Sequence, residues 1–376
     1  MHEIYLDTSA STPLHPEVKD KLLSTLSFYG NPSSLHTKGR QSAELISDSS
    51  DIIAKCLNID TSEIYYTSGA TMSNNLAIQG FLEKHLLSKV RFVTSCMEHD
   101  DIYLMTKNYP YDLKSYIPCE QKTGLLDLDC LYETLKELDS QSEDAILVSI
   151  QWANNEMGVI QDMRTISEIV NTFSNCYLHT DATQYIPWYR ADIHSLKIDM
   201  LSCSAQKLGG LKGTGLLYIR NGVSISPIIY GDQGLIGGTE NVPGIVCMGE
   251  AFKQLDFSKN ALIAAKRDYL YDLIKDYGQL VGSMQNRLPH NICMIFDGVR
   301  GEELQAMLDG FGIYVSTGSA CSSHTNKTSR TLKAMGYTEE QSNSSIRITL
   351  SNDVTYSDLD YVAEMIKHSI QILRNK

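Results

Sequence analysis

The sequence predicts an α/β fold: a large domain on a mainly parallel sheet flanked by helices, with a smaller α+β domain at the C-terminal end. Three observations carry this. Strand-like and helix-like stretches alternate to about residue 220, and helices between strands imply crossovers, because parallel neighbours cannot be joined by a tight turn. After about residue 250 the pattern changes to long helical runs and short strands. At 376 residues the chain also exceeds what one hydrophobic core usually fills. Residues 15–250 are therefore assigned to the large domain, and residues 1–14 with 251–376 to the small one.

Taken in order, "HPEVKDKLLSTLSFYG" and "SAELISDSSDIIAKCL" place apolar residues at helical spacing. "EIYYTSGAT" reads as a short strand running into a glycine turn, "NNLAIQGFLEKHLL" as a helix and "VRFVTS" as a strand. "DAILVSIQWANNE" is a strand ending in a polar loop, "MRTISEIVNTF" a helix, and "CYLHTDATQ" a strand ending in an acid. "KIDMLSCSAQK" and "GTGLLYIR" are the next apolar runs. Beyond them a long helical stretch leads into the short strands "NICMIFDG", "YVSTGS" and "SSIRITLS" and a last helix. The extreme N-terminus is expected to pack on this second part.

A formal net charge of −13 argues against nucleic acid or an anionic membrane as partner, since both need a basic face. No run approaches the roughly 20 apolar residues of a membrane span, and "MHEIYLDTSASTP" lacks a basic-then-apolar leader. A cytoplasmic location is expected. Nine scattered cysteines without a CxxC pair fit that compartment and predict neither a disulfide framework nor a metal site. Eight of them, Cys56 and Cys293 among them, are expected to be packed, whereas Cys321 falls in the polar stretch "VSTGSACSSHTNKTS".

Ligands of open parallel sheets bind beyond the carboxyl ends of the strands, and three expected strand ends are chemically suggestive: "TSGAT", "HTDATQ" and "SCSAQK". In the first, a helix start flanked by hydroxyls offers free N–H groups to a phosphate, although a Thr cap alone would look the same. Asp181 ends the second, where a carboxylate is often only an N-cap; Gln184 and Asn155 add polar groups at strand ends. Lys207 ends the third, and a lysine held in a crevice sheds its proton cheaply and forms Schiff bases. Phosphate cradle, acid and lysine together are the parts a pyridoxal phosphate enzyme requires. His99 would stack on the ring and pass protons, though a solitary histidine is more often structural. An exposed thiol near a cation, as Cys321 is expected to be, is a thiolate nucleophile unless it is an incidental surface group. Arg347, inside an apolar strand pattern, needs a carboxylate partner, supplied either by substrate or by an internal ion pair.

With those residues in place, the chain resembles the cysteine desulfurases of the NifS/IscS type, in the class V group of fold-type I pyridoxal phosphate enzymes. The resemblance runs over nearly the whole length through "IYLDTSASTPLHPEV", "YGNPSSLHTKGR", "YTSGATMSNNLAIQG", "EHDDI", "NNEMGVIQD", "HTDATQ", "GGTENVPGIV", "STGSACSS" and "SSIRITL", in the family's order. It implies the following roles. Lys207 is the Schiff-base lysine, Asp181 the pyridinium partner and His99 the stacked acid–base group. Gln184 and Asn155 touch the ring hydroxyl. Ala70, Thr71 and Ser204 hold the phosphate, with Thr239 reaching it from the second subunit of a homodimer. Arg347 binds the substrate carboxylate and Cys321 attacks the substrate sulfur. The implied reaction turns L-cysteine into L-alanine and leaves a persulfide on Cys321 for an acceptor protein, in iron–sulfur cluster assembly or thio-modification.

Departures from the family pattern are visible too. Gln206 stands where the family has His before the lysine, keeping a hydrogen-bond donor beside the cofactor. Met72 replaces an acid after "SGAT", Ile236 stands where an arginine is expected before Thr239, and the stretch after Cys321 lacks the usual "EPS". Other readings are a selenocysteine lyase, another class V lyase or aminotransferase, and a non-catalytic scaffold of sulfur assembly. The thiol argues for sulfur or selenium, since a transaminase has no use for one.

Overall fold

The computed structural model describes residues 3–86, 89–231, 234–317 and 328–375. Its larger sheet has seven strands in the order Ile64–Thr67, Gly215–Ile219, Met200–Ser204, Cys176–Asp181, Ala145–Ser149, Val90–Ser95 and Lys114–Ile117. The last five pair in parallel. Gly215–Ile219 runs antiparallel to both of its neighbours. The sequence analysis named this run only as an apolar one in a mainly parallel sheet, and the structure gives its direction. The ten residues 205–214 that precede it are too short for a helical crossover, so the chain turns straight back.

Strand residues alternate between the two faces of the sheet. Ile146, Val148, Leu216 and Tyr218 enter one apolar cluster with the helices Pro16–Thr25, Thr37–Leu57 and Val242–Lys253. Leu147, Leu217 and Ile219 enter the cluster on the other face, with Leu76, Phe81 and the helix Ala70–Lys84. Both faces are covered, which explains why these strands read as near-continuous apolar runs. Burial of each fully enclosed Leu or Phe contributes roughly 1.5–3 kcal/mol.

A four-stranded antiparallel sheet, ordered Ser316–Thr317, Ser345–Thr349, Asn291–Ile295 and Gln279–Leu280, carries a separate core. The helices Asn260–Ile274, Gly301–Gly310 and Tyr356–Arg374 close it through Leu270, Leu304, Leu308, Leu359 and Ile366. The N-terminal strand Ile4–Tyr5 pairs in parallel with Ile313–Tyr314, and Leu6 is buried in this second core. Among the described residues no helix is long and apolar enough to cross a membrane, and no three metal-ligating side chains cluster.

The cysteines need a correction. Cys203, Cys247 and Cys293 are buried, but Cys96, Cys119, Cys130 and Cys176 are only partly covered, and Cys56 is exposed. Helix Thr37–Leu57 buries Ile53, Ala54 and Leu57, and this turns Cys56 to the flank of the apolar stripe. Cys321 lies outside the described residues.

Candidate active site

The carboxyl ends of the parallel strands frame a cavity of about 380 Å³. Ala70, Thr71, His99, Asn155, Asp181, Gln184, Ser204, Gln206, Lys207 and Arg347 all line it. These are ten of the twelve residues singled out from the sequence. Thr239 is exposed and does not line the cavity of its own chain.

Helix Ala70–Lys84 begins at Gly69, which contributes no side-chain cap; its first backbone bond runs from Ser73 N to Gly69 O at 3.1 Å. The N–H groups of the first turn therefore have no partner inside the helix, and they meet the cavity beside Ser68 and Thr71. Close approach keeps this turn in place. A Cβ on Gly215 would lie 2.5 Å from Gly69 Cα, so only glycine lets the reversed strand pass there. Met72 folds its thioether back onto Ser68, accepting from Ser68 Oγ at 3.3 Å. Ile236 packs with the apolar cluster on one face of the sheet.

Lys207 sits in the tight turn Ala205–Lys207 directly after Met200–Ser204. Its Nζ donates to Ala10 O. Thr12 Oγ1 donates to Gln206 O at 2.7 Å and accepts from Gly209 N at 2.9 Å, stapling the lysine turn to the N-terminal segment. Ser9 and Ala10, which sequence reasoning did not single out, thereby become part of the cavity wall.

Asp181 is buried at the end of Cys176–Asp181. Thr183 N donates to its Oδ1 at 2.9 Å and Asn74 Nδ2 to its Oδ2 at 3.0 Å. The Asn74 amide also donates to Asp101 Oδ2 at 3.2 Å, so it joins the two carboxylates. Among the described residues no lysine or arginine forms an ion pair with Asp181. Burial, followed by repulsion from Asp101, raises its carboxyl above the usual range. Burial acts upward on Asp101 as well, but hydrogen bonding and charge from His99, together with Asn74 and Thr71, hold it below the usual range. His99 Nδ1 lies 2.9 Å from Asp101 Oδ1, which fixes the ring over the cavity. The only sequence sign of this partnership was an acid two residues after the histidine.

Of the two partners anticipated for Arg347, the structure shows the internal ion pair. Its guanidinium meets Asp7 Oδ1 at 2.6 Å and donates to Asn155 O at 2.9 Å; it also lines the cavity, and its buried Nε has no partner among the described residues.

Glu98, next to His99, is fully enclosed. Ser95 Oγ and Gln151 N donate to its Oε1 at 2.5 and 2.9 Å, and Oε2 has no partner among the described residues. Burial pushes its pKa up from 4.5 to about 8. The folded state thus keeps a proton that the unfolded chain loses above pH 4.5, so stability falls as pH rises from about 4.5 to about 8 and levels off beyond. The loss is on the order of a few kcal/mol. Glu98→Gln, which copies the protonated form, is expected to flatten this dependence and to be the more stable protein at pH 8. Urea midpoints at pH 5.5 and 8 test it; an equal loss at both pH values would refute it.

The model of the aminotransferase class-V family matches residues 4–362. Cysteine desulfurase IscS of Dictyoglomus turgidum is 36% identical, over 99% of this chain and 95% of that one. The enzyme of the same name from Methanosarcina thermophila is 35% identical, over 99% and 93%. Among solved structures, a NifS-like protein from Rickettsia africae superposes with a TM-score of 0.89 at 30% identity, covering 98% of this chain and all of that one. SspA, solved in complex with cysteine, superposes with a TM-score of 0.79 at 28% identity over 92% and 98%.

Proposed function

The chain belongs to the aminotransferase class-V family as a cysteine desulfurase, and from that premise we propose how its residues act on L-cysteine. The observation that carries the reading is Asp181, a buried carboxylate held only by neutral donors, facing the same cavity as Lys207. A buried acid in that position calls for a cation, and the protonated ring nitrogen of pyridoxal phosphate supplies one. The open helix start at Ala70 and Thr71, with Ser204 nearby, suits its phosphate. When bound, this cofactor withdraws electrons from the substrate α-carbon.

Around it each residue has a task. Asp181 keeps the ring nitrogen protonated. His99, oriented by Asp101, covers the ring, while Gln184, Gln206 and Asn155 offer amide groups to its polar edge. Arg347 holds the substrate carboxylate and so fixes which bond at the α-carbon faces Lys207. Lys207 Nζ anchors the cofactor, then takes the α-proton and returns one to carbon. The Cys321 thiolate attacks the substrate sulfur; the carbon–sulfur bond breaks, a sulfur–sulfur bond forms, and the carbon gains the proton that completes alanine. Cysteine and the Cys321 thiol thus become alanine and a Cys321 persulfide, ready for an acceptor protein. Thr239 completes the phosphate site of the second subunit in a homodimer.

The test is stoichiometric. Incubated with cysteine and a dithiol reductant, the protein is expected to yield alanine and sulfide in equal amounts. Pyruvate in place of alanine, or turnover confined to selenocysteine or another amino acid, would overturn the reading.

A further inference from the structure

Two thiols outside the cavity lie within bonding reach of one another. Cys96 and Cys119 follow the adjacent parallel strands Val90–Ser95 and Lys114–Ile117, whose register pairs Ser95 with Ile117. Cys96 N donates to Ile117 O at 3.1 Å, and Cys119 is bridged to Leu126. Their sulfurs hydrogen-bond at 3.6 Å, and both residues are partly exposed. A disulfide needs about 2.05 Å, so closure asks for a sulfur shift of roughly 1.5 Å, within what two side chains at strand ends can supply. The hydrogen bond shared with Cys119, aided by the Arg330 charge, lowers the Cys96 thiol to about 7, whereas the same bond and then burial raise the Cys119 thiol. Cys96 is thus the more readily ionised partner.

This pair is wired to the catalytic rim. Arg330 Nη1 donates to Cys96 O at 2.9 Å, Nη2 donates to Glu98 O, and the guanidinium covers the Tyr103 ring at 4.1 Å. The same short turn carries His99.

We propose that Cys96 and Cys119 form a peroxide-sensitive dithiol whose oxidation to a disulfide pulls on the carbonyl that anchors Arg330 and thereby slows turnover. The Cys96 thiolate attacks one peroxide oxygen; the oxygen–oxygen bond breaks, hydroxide leaves, and Cys96 becomes a sulfenic acid. The Cys119 sulfur then displaces that oxygen as water, its proton going to the leaving group. Two thiols lose two electrons and one hydrogen peroxide becomes two waters.

The experiment treats the holoenzyme with graded hydrogen peroxide, blocks residual thiols, and maps peptides without reduction. The expected result is a peptide pair linked through Cys96 and Cys119, two mass units below the sum of its parts and separated by dithiothreitol. In parallel, the parent should lose cysteine turnover at least twofold faster than Cys119→Ser, which cannot form the link. Absence of the linked pair, or identical inactivation of parent and variant, overturns the proposal. The turnover arm rests on the proposed function whereas the mapping arm does not. A linked pair in a protein that never turns over cysteine would therefore indict the functional reading alone.

Discussion

Replacing Lys207 with alanine is expected to abolish sulfide release from cysteine and covalent retention of pyridoxal phosphate together. Lys207 is the one lysine lining the described cavity, and its turn is fixed from two directions, by Thr12 on Gln206 O and by its own bond to Ala10 O. Loss of a positioned proton-transfer group alone costs about 10²–10⁴-fold, and the anchoring bond is lost with it. Lys207→Arg keeps the charge and the contact with Ala10 but cannot make that bond, so it should be as inactive as alanine. The readouts are mass retained after borohydride reduction, the visible absorption of the cofactor, and sulfide. A small primary amine added to Lys207→Ala should restore part of the turnover, which would separate missing chemistry from misfolding. Turnover of Lys207→Ala within tenfold of the parent would remove this residue from the mechanism.

Those three strand ends were legible because of a local rule: a polar residue that closes an apolar run lands on the sheet rim. Ser68, Asp181 and Ser204 follow it, and Thr71 and Lys207 lie in the turns that come directly after. The rest of the site is assembled by topology, and no periodicity encodes that. Arg347 finds Asp7, 340 residues away, only because the N-terminal segment lies beside the small sheet. Asn74 joins two carboxylates from the second turn of a helix, where its spacing looks like that of any polar surface residue. The reversed strand Gly215–Ile219 has the apolar texture of its parallel neighbours, and only the brevity of the preceding link betrays its direction. Cys56 looked apolar by its sequence neighbours, but a helix flank is set by angle, not by adjacency.

Cys321→Ala is expected to bring sulfide release to background while leaving the cofactor bound and cysteine still able to enter. Eight of the nine cysteines fall among the described residues, and none of them lines the cavity. None of those eight therefore competes with the ninth, Cys321, for the proposed role of sulfur acceptor; Cys321 lies outside the described residues. The described residues on either side of its segment are already tied to the cavity wall. Before it, Ser316 pairs with Arg347 across the small sheet. After it, Ser329 Oγ donates to the carboxylate of Glu156, the neighbour of Asn155, and Arg330 holds the carbonyl of Glu98, the neighbour of His99. A thiol near its ordinary pKa is a few per cent thiolate at pH 7 and already a strong nucleophile. Cys321→Ser, whose hydroxyl stays protonated, should consequently fail as completely as alanine. Persulfide labelling of the parent after one turnover should place the extra sulfur on the Cys321 peptide. Sulfide release by Cys321→Ala at more than a tenth of the parent rate would mean that sulfur departs without a protein thiol, and the transfer step would have to be rewritten.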